Sequence, residues 1–295
     1  MVEVIRLGGP LGAEVRGIDP AHALRAADLA KIEEAFLENL VLVFRGAPMS
    51  ARQLSNFSQN FGELQPHIAK RYQHPEVPEV VINTNQDAQG NYDKLGAERG
   101  VGWHSDLPYD QVPARATLLH AVNVPSHGGN TAFANMYMAY ETMPAALKNK
   151  IEGRYALFCL GGRNRLTQGI LEDPTKVPHA IHPVIRVHPE TGRKSVYVNP
   201  YHTHSIIGMP RAQSDELLDE VYAWCERPQF QWEQEWRVAD TIIWENRCAW
   251  HTGKMDYPQH EPRLFLRTTV RGTPTMPPEQ LKEIFASVSM AASAN

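Results

Sequence analysis

The feature that most constrains this chain is a succession of short runs rich in β-branched and aromatic residues, cut by glycine and proline turns. After residue 75 such runs cover Val77–Ile82, Ala116–Val124, Thr131–Asn135, Ser195–Asn199, Thr241–Trp244 and Leu264–Val270. Turn residues separate them at Gly128-Gly129, Pro189-Glu-Thr-Gly192 and Gly272, which is the punctuation expected of strands. Helical spacing is scarcer. It covers Ala27–Leu40 and stretches near Tyr137–Lys148 and Gln213–Trp224, and the capping-box sequence Ser50-Ala-Arg-Gln53 opens a further helix running toward Gly62. Leu40–Phe44 reads as a short buried strand closed by Gly46. Helices are too few for alternating βα units, so the pattern predicts a β-rich α+β fold, a sandwich or barrel with insertions. No repeat, linker or low-complexity segment divides the 295 residues, so residues 1–295 are expected to form a single domain. Within it, 1–65 is a mixed α/β flank, 66–275 the strand-rich core, and 276–295 a C-terminal helix or tail.

Composition excludes several partner classes. The formal charge is −4 and no run of Lys or Arg stands out, which argues against nucleic acid and membrane surfaces as partners. No apolar stretch approaches the roughly 18 residues of a membrane span, and the N-terminal Met-Val-Glu-Val-Ile-Arg lacks the features of a signal peptide. Cys159, Cys225 and Cys248 are widely spaced and form no CxxC pair, so a reducing, cytoplasmic setting is expected.

The densest chemical signal is Gly102-Trp-His104-Ser-Asp106. On a strand, a His and an Asp two apart project to one side, so both could reach one ion. Two imidazoles and one carboxylate form the facial triad that holds iron(II) and leaves positions open for other ligands. Alone, the pair also fits a hydrogen-bonded surface pair. A second signal is the apolar run Asp240–Glu245 followed by Asn246-Arg247-Cys-Ala-Trp-His251, which alone also fits a satisfied core histidine. In the third, Arg263, Arg267 and Arg271 share strand parity and point to one face, as they also would on a solvated strand. The polar, aperiodic segment Gln86–Gly102 lies just before the His-x-Asp pair and is a candidate active-site lid.

Together, W-H-x-D at 103–106, G-G-x-T at 128–131, W-x-N-R at 244–247 with His251 four residues on, and R-x-x-x-R at 263–267 resemble the taurine and 2,4-dichlorophenoxyacetate dioxygenase family. The resemblance covers most of the chain, from Gly12-Ala-Glu-Val-Arg-Gly-Ile-Asp19 and Val41–Gly46 to Gly272. It implies a double-stranded β-helix (jelly-roll) core with flanking helices and the metal near one open end. It implies that His104, Asp106 and His251 bind Fe(II), that Thr131 hydrogen-bonds a carboxylate of 2-oxoglutarate, that Arg263 grips its distal carboxylate, and that Trp244 lies near this co-substrate. A guanidinium suits that role because it holds a carboxylate in a two-bond fork and stays charged when buried. The implied activity consumes O2 and 2-oxoglutarate, hydroxylates a small organic substrate, and releases succinate and CO2. Asp106 favours hydroxylation, since related halogenases lack the metal carboxylate. Relatives are often dimers or tetramers, so a homo-oligomer is expected.

On the substrate side, the resemblance points to Arg267 as the reader of a carboxylate or sulfonate, with a structural salt bridge as its other reading. It also points to His67, with His74 as competitor, as a contact of the substrate anion. Gly100 stands where taurine enzymes carry asparagine, and Asn199-Pro-Tyr201-His202-Thr-His204 where they present a phenylalanine. The substrate expectation therefore leans toward aryloxyalkanoates, with sulfonates and related carboxylates beside them. His202 and His204 read as surface residues in a turn, with pocket donors as their other reading. Two other functions fit parts of the pattern: a zinc hydrolase using the same donors, and a non-catalytic jelly-roll binding module. The first needs a separate general base and leaves Arg263 without a role.

Overall fold

The computed structural model describes residues 1–163, 173–277 and 279–284. Its strands in the first half of the chain are β1 (Glu3–Arg6), β2 (Ala13–Arg16), β3 (Val41–Phe44), β4 (Gln73–His74), β5 (Val77–Thr84), β6 (Ala114–Asn123), β7 (Thr131–Asn135) and β8 (Tyr155–Cys159). Then come β9 (His179–Pro183), β10 (Ile185–Val187), β11 (Lys194–Val196), β12 (Thr203–Ile206), β13 (Gln231–Gln234), β14 (Thr241–Glu245), β15 (Ala249–Gly253) and β16 (Leu264–Arg271). The α-helices are α1 (Ala26–Asn39), α2 (Ala51–Ser58), α3 (Lys94–Ala97), α4 (Met136–Glu141), α5 (Ala145–Ile151) and α6 (Arg211–Cys225).

The largest sheet has the order β1-β2-β3-β14-β6-β16-β5-β4, with only the β2–β3 pair parallel. Its central strands are apolar on both sides because both faces are covered. Leu42, Phe44, Leu118 and Ile243 pack with Ile32 and Phe36 of α1 and Leu54 and Phe57 of α2. The alternate residues Val41, Val43, Leu119, Ile242 and Trp244 turn to the other side, where they meet Phe133 of β7 and Ala249 of β15. Those two strands belong to a small sheet ordered β13-β7-β15. A third cluster, around Trp250, Phe158 and Val198, lies under α4 and α6. The large and small sheets are therefore packed layers, and the apolar alternation of each strand decides which layer it seals.

Local signals explain the elements the sequence revealed. Ser50 accepts from the Gln53 backbone while the Gln53 side chain returns to the Ser50 backbone, so the capping box forms and α2 begins there. The expected helix near Tyr137–Lys148 is instead two helices, α4 and α5, because Pro144 cannot continue the ladder. The expected strand Ser195–Asn199 keeps only its first residues, in β11. The strands β1, β2, β4, β8, β9, β10, β12, β13 and β15 lie outside every expected run. Of the expected C-terminal helix or tail, residues 279–284 are helical, and residues 278 and 285–295 lie outside the described residues.

Candidate active site

Strand β15 brings His251 to the edge of the small sheet. On one side His251 faces Phe133 of β7. On the other its backbone exchanges two hydrogen bonds with His104, of 2.8 and 3.0 Å. His104-Ser-Asp106 is not a strand, contrary to the reading of the His-x-Asp spacing; this isolated bridge is what sets the two imidazoles side by side, with ring centroids 4.1 Å apart. The chain then turns through Leu107, a bulky residue in the left-handed region at φ 53°. Asp106 is aimed by groups from the large sheet. Its backbone N–H donates to Asn246 Oδ1 at 3.0 Å, and its Oδ2 accepts from the Thr117 hydroxyl at 2.6 Å. Asn246 in turn donates to Thr117 at 2.9 Å and accepts from the Trp244 indole at 3.1 Å.

The result is a convergent donor set. His104 Nε2 lies 3.9 Å from Asp106 Oδ1, and His251 Nε2 lies 3.8 Å from Asp106 Oδ2. One ligand atom from each of the three residues falls within 4.8 Å of the others. His104 Nδ1 donates to the Gly102 carbonyl at 2.7 Å, which leaves the Nε2 lone pair facing the other donors. The His251 ring is held by Trp244, at 4.6 Å between centroids, and by Phe133, at 6.1 Å. Burial pushes both imidazole pKa values down, so both rings are neutral ligands. Burial raises the Asp106 carboxyl, but the Arg267 guanidinium, together with the hydrogen bond from the Thr117 hydroxyl, outweighs it and holds the group well below the usual carboxylate range. Two neutral imidazoles and an ionised carboxylate suit an iron(II) ion. A second buried cluster joins His188, Glu245 and Cys248, with His188 Nε2 3.4 Å from Glu245 Oε2. There the Glu245 carboxylate is held by the Arg247 fork at 2.6 and 2.5 Å, and His188 Nδ1 accepts from backbone amides.

The triad opens on a cavity of about 190 Å³. At one end lie Thr131, Tyr257 and Arg263. Arg263 Nε donates to the Gly129 carbonyl at 3.0 Å, and its guanidinium lies 4.3 Å from the Phe265 ring centroid. Gly129 has φ 66°, and a Cβ there would lie 3.2 Å from Arg263 Nε, so a glycine lets the loop touch the arginine. Burial pushes the Arg263 pKa down to about 10, which leaves it charged at neutral pH. Among the described residues no carboxylate pairs with it. The Thr131 hydroxyl accepts from the Trp236 indole at 3.1 Å, so its own proton is left to donate. A buried cation without an acid, beside an uncommitted hydroxyl, fits one end of a dicarboxylate.

The other end is lined by His67, Asn83, Arg99, Tyr109, His202 and Arg267, among others. Arg267 Nη2 donates to Asp106 Oδ1 at 2.7 Å. His67 Nδ1 accepts from the Ala69 backbone at 3.0 Å, and burial and then Arg267 lower its pKa, so the neutral ring keeps a proton on Nε2.

Comparison with known proteins agrees with this geometry. The family model described as "Taurine catabolism dioxygenase TauD, TfdA family" matches residues 3–269. The chain belongs to this family. Its members are iron(II)- and 2-oxoglutarate-dependent dioxygenases that use O2, and this dioxygenase shares 33% identity with the alpha-ketoglutarate-dependent 2,4-dichlorophenoxyacetate dioxygenase of Cupriavidus pinatubonensis (strain JMP 134 / LMG 1197), over 82% of this chain and 88% of that one. It is 29% identical to the (S)-phenoxypropionate/alpha-ketoglutarate-dioxygenase of Sphingobium herbicidovorans, over 92% of this chain and 96% of that one. Among solved structures it is similar to AAD-2 in complex with Mn(II) and N-oxalylglycine, with a TM-score of 0.82, 26% identity and coverage of 94% and 99%.

In this dioxygenase all the expected site residues, His67, His104, Asp106, Thr131, Trp244, His251, Arg263 and Arg267, line the one cavity. Arg271, expected on the same face as the other two arginines, is exposed at the end of β16. His74, the competitor of His67, sits in β4 and does not line the cavity. The expectation for His202 is overturned: it is 6% exposed and packs between Tyr109, at 5.1 Å, and Tyr201, at 4.8 Å. His204 is partly buried away from the cavity, beside Ser205 and Arg211. The segment Gln86–Gly102 does wall the cavity, through Ala97, Arg99 and Gly100, and it contains α3. Sequence reasoning missed Thr117, Asn246, Trp236, Tyr109, Tyr201 and Arg99. Of these Asn246 and Tyr201 lay inside quoted motifs and Arg99 inside the candidate lid segment; Thr117, Trp236 and Tyr109 reach the site by tertiary folding and carry no local signal.

Proposed function

We propose that the chain binds Fe(II) through His104, Asp106 and His251, holds 2-oxoglutarate between Thr131 and Arg263 beside Trp244, and hydroxylates an aryloxyalkanoate or a related sulfonate or carboxylate read by Arg267 and His67. The observation that carries this reading is the pairing, in one cavity, of a neutral-His, ionised-Asp donor set with an arginine that has no acid partner among the described residues. Iron(II) with 2-oxoglutarate supplies, when bound, the chemistry that reduces O2 and hydroxylates the substrate. The protein's own residues do the rest. Arg263, pinned by the Gly129 carbonyl, fixes the far end of the dicarboxylate, and Thr131 donates to it. Trp244 and Phe133 fix the plane of His251, while Asn246 and Thr117 fix Asp106. His67 offers an Nε2 proton, and Arg267 offers an anion the donors it does not commit to Asp106. The segment 86–102 covers the site and excludes water.

The same reading takes the two packed sheets as the layers of a double-stranded β-helix, and residues 1–295 as one domain with the mixed flank, core and C-terminal tail given above. Three buried cysteines that form no CxxC pair suit the cytoplasm. A homodimer or tetramer follows from the family resemblance and is tested by light scattering.

Anaerobic titration of the purified protein with iron(II), then 2-oxoglutarate, followed by calorimetry and visible absorption, tests the site. Iron is expected to be required for 2-oxoglutarate binding, and His251→Ala to abolish both. Arg263→Gln should weaken 2-oxoglutarate by about 100-fold while iron affinity holds. An unchanged 2-oxoglutarate affinity in that variant would remove Arg263 from the site. Succinate release across aryloxyacetates, sulfonates and simple carboxylates then ranks substrates.

A further inference from the structure

We propose that Arg99 is a second anion-reading residue at the substrate end of the cavity, and that the site thereby selects small organic substrates carrying two negative charges around an apolar middle. This rests on reading the cavity as the co-substrate and substrate site.

Arg99 lies five residues before His104, in the segment that walls the cavity. Its guanidinium sits 3.8 Å over the Tyr72 ring centroid, and Nη2 donates to the Ile82 carbonyl at 3.2 Å and Asn83 Oδ1 at 3.3 Å. All of these partners are neutral. Nε is buried and meets no acceptor, and Nη1 donates to no described residue. Other partly or fully buried arginines show what is missing: Arg45 pairs with Asp240, Arg115 with Glu33, Arg163 with Asp219, Arg247 with Glu245 and Arg267 with Asp106. Among the cavity-lining arginines, Arg99 and Arg263 have no such carboxylate. The acid missing at Arg263 is explained by 2-oxoglutarate; that at Arg99 is not.

A desolvated guanidinium without a counter-charge is costly, and a tyrosine face offsets only part of that cost. Burial and the nearby Arg267 both lower the Arg99 pKa, so the two cations feel each other across the cavity. His67, which also faces them, is neutral; Asp93 acts on Arg99 only from beyond ion-pair distance, and Asp106 is shared between Arg267 and the donor set it forms with the two imidazoles, so Arg267 keeps part of its charge for an anion. A substrate with one negative charge leaves one of the two cations unanswered. Val81, Ile68, Ala97 and Val101 line the same end and suit an apolar spacer. The chemistry that matches is a compact dianion: a phosphonate or phosphate monoester with both charges on one group, or a dicarboxylate with one at each end.

The test compares matched ligands by calorimetry on the protein loaded anaerobically with iron(II) and 2-oxoglutarate. The pairs are benzylsulfonate against benzylphosphonate, and phenoxyacetate against 4-carboxyphenoxyacetate, at about pH 8.5 so that the phosphonate is doubly charged. The dianion of at least one pair should bind about tenfold tighter than its partner, and which pair does so tells whether the charges share one group. Arg99→Gln should bring that ratio close to one, whereas Arg99→Lys, which keeps the charge, should preserve part of it. Equal affinity for mono- and dianions in the wild-type protein would overturn the proposal whether or not any variant folds. So would an Arg99→Gln variant that weakens both members of a pair in proportion, since that is the behaviour of a residue that only pins the segment 86–102. If monoanions bind with dependence on iron(II) and Arg267 but no dianion is preferred, this proposal fails and the site reading stands. If no anion binds and iron(II) fails to promote 2-oxoglutarate binding, the site reading itself has failed.

Discussion

At the residue scale, the site is set by side chains whose second hydrogen-bonding group is already taken. His104 spends Nδ1 on the Gly102 carbonyl, and Thr131 spends its acceptor on Trp236, so each presents one defined function to the cavity. Asn246 does this for Asp106 while accepting from Trp244 and donating to Thr117. Asn246→Ala removes the amide that ties these groups together without touching a ligand. Iron(II) affinity is then expected to fall by about 10- to 100-fold, as for other groups that orient metal ligands. Anaerobic metal titration of the variant measures this, and an affinity equal to wild type would mean that Thr117 alone suffices to hold the carboxylate.

At the scale of elements, the segment 86–102 is docked, not draped. Asp93 N–H donates to the Asn85 carbonyl at 2.8 Å, Arg99 reaches back to β5, and Gly102 N–H donates to Thr252 at 2.9 Å. Helix α3 approaches β5 so closely that a Cβ on Gly96 would lie 2.5 Å from the Thr84 carbonyl oxygen. Gly96→Val must therefore lift α3 from the sheet. The expected consequence is an apparent substrate KM raised by about tenfold or more with iron affinity retained, because the lid excludes water from the substrate end and not from the triad alone. Steady-state kinetics beside a metal titration separate the two effects, and a loss of iron binding in parallel would show that the segment instead supports His104.

At the scale of the molecule, buried titratable groups make the fold acid-sensitive. Burial lowers the His120 pKa to about 4, and burial with Arg186 nearby lowers that of His182 to about 3. A histidine depressed in the fold favours the unfolded chain once that chain is protonated. Its contribution is therefore complete above about pH 6.5 and is lost as pH falls toward the folded value. Burial raises the Glu245 carboxyl, but Arg247 outweighs this and holds it at about 2, so its contribution is lost only below about pH 4.5. Urea denaturation of the metal-free protein should show stability falling by several kcal/mol between about pH 6.5 and 4, then further below that range. A flat profile from pH 7 to 5 would mean that the two histidines stay hydrated.

Local sequence carries the apolar pattern of the layers and the motifs from which the candidate donor set is read. Val41–Phe44, and Ile242, Ile243 and Trp244 of β14, are apolar at every position because both faces of their strands are covered, and that pattern is local. His104, Asp106, His251, Thr131 and Arg263, which share one cavity, were legible through the local motifs that resemble those of the family. Short or polar strands such as β1, β12 and β15 were not, since their pairing comes from neighbours distant in the chain. Only the packing of separate elements fixes that His104 meets His251 through a two-bond backbone bridge, that His104-Ser-Asp106 is not a strand, that His202 is buried, and that Arg99 ends with no acid paired to it. The physical reason is the same in each case. Periodicity records which way a residue faces within its own element, whereas a partner or its absence is fixed only when separate elements pack.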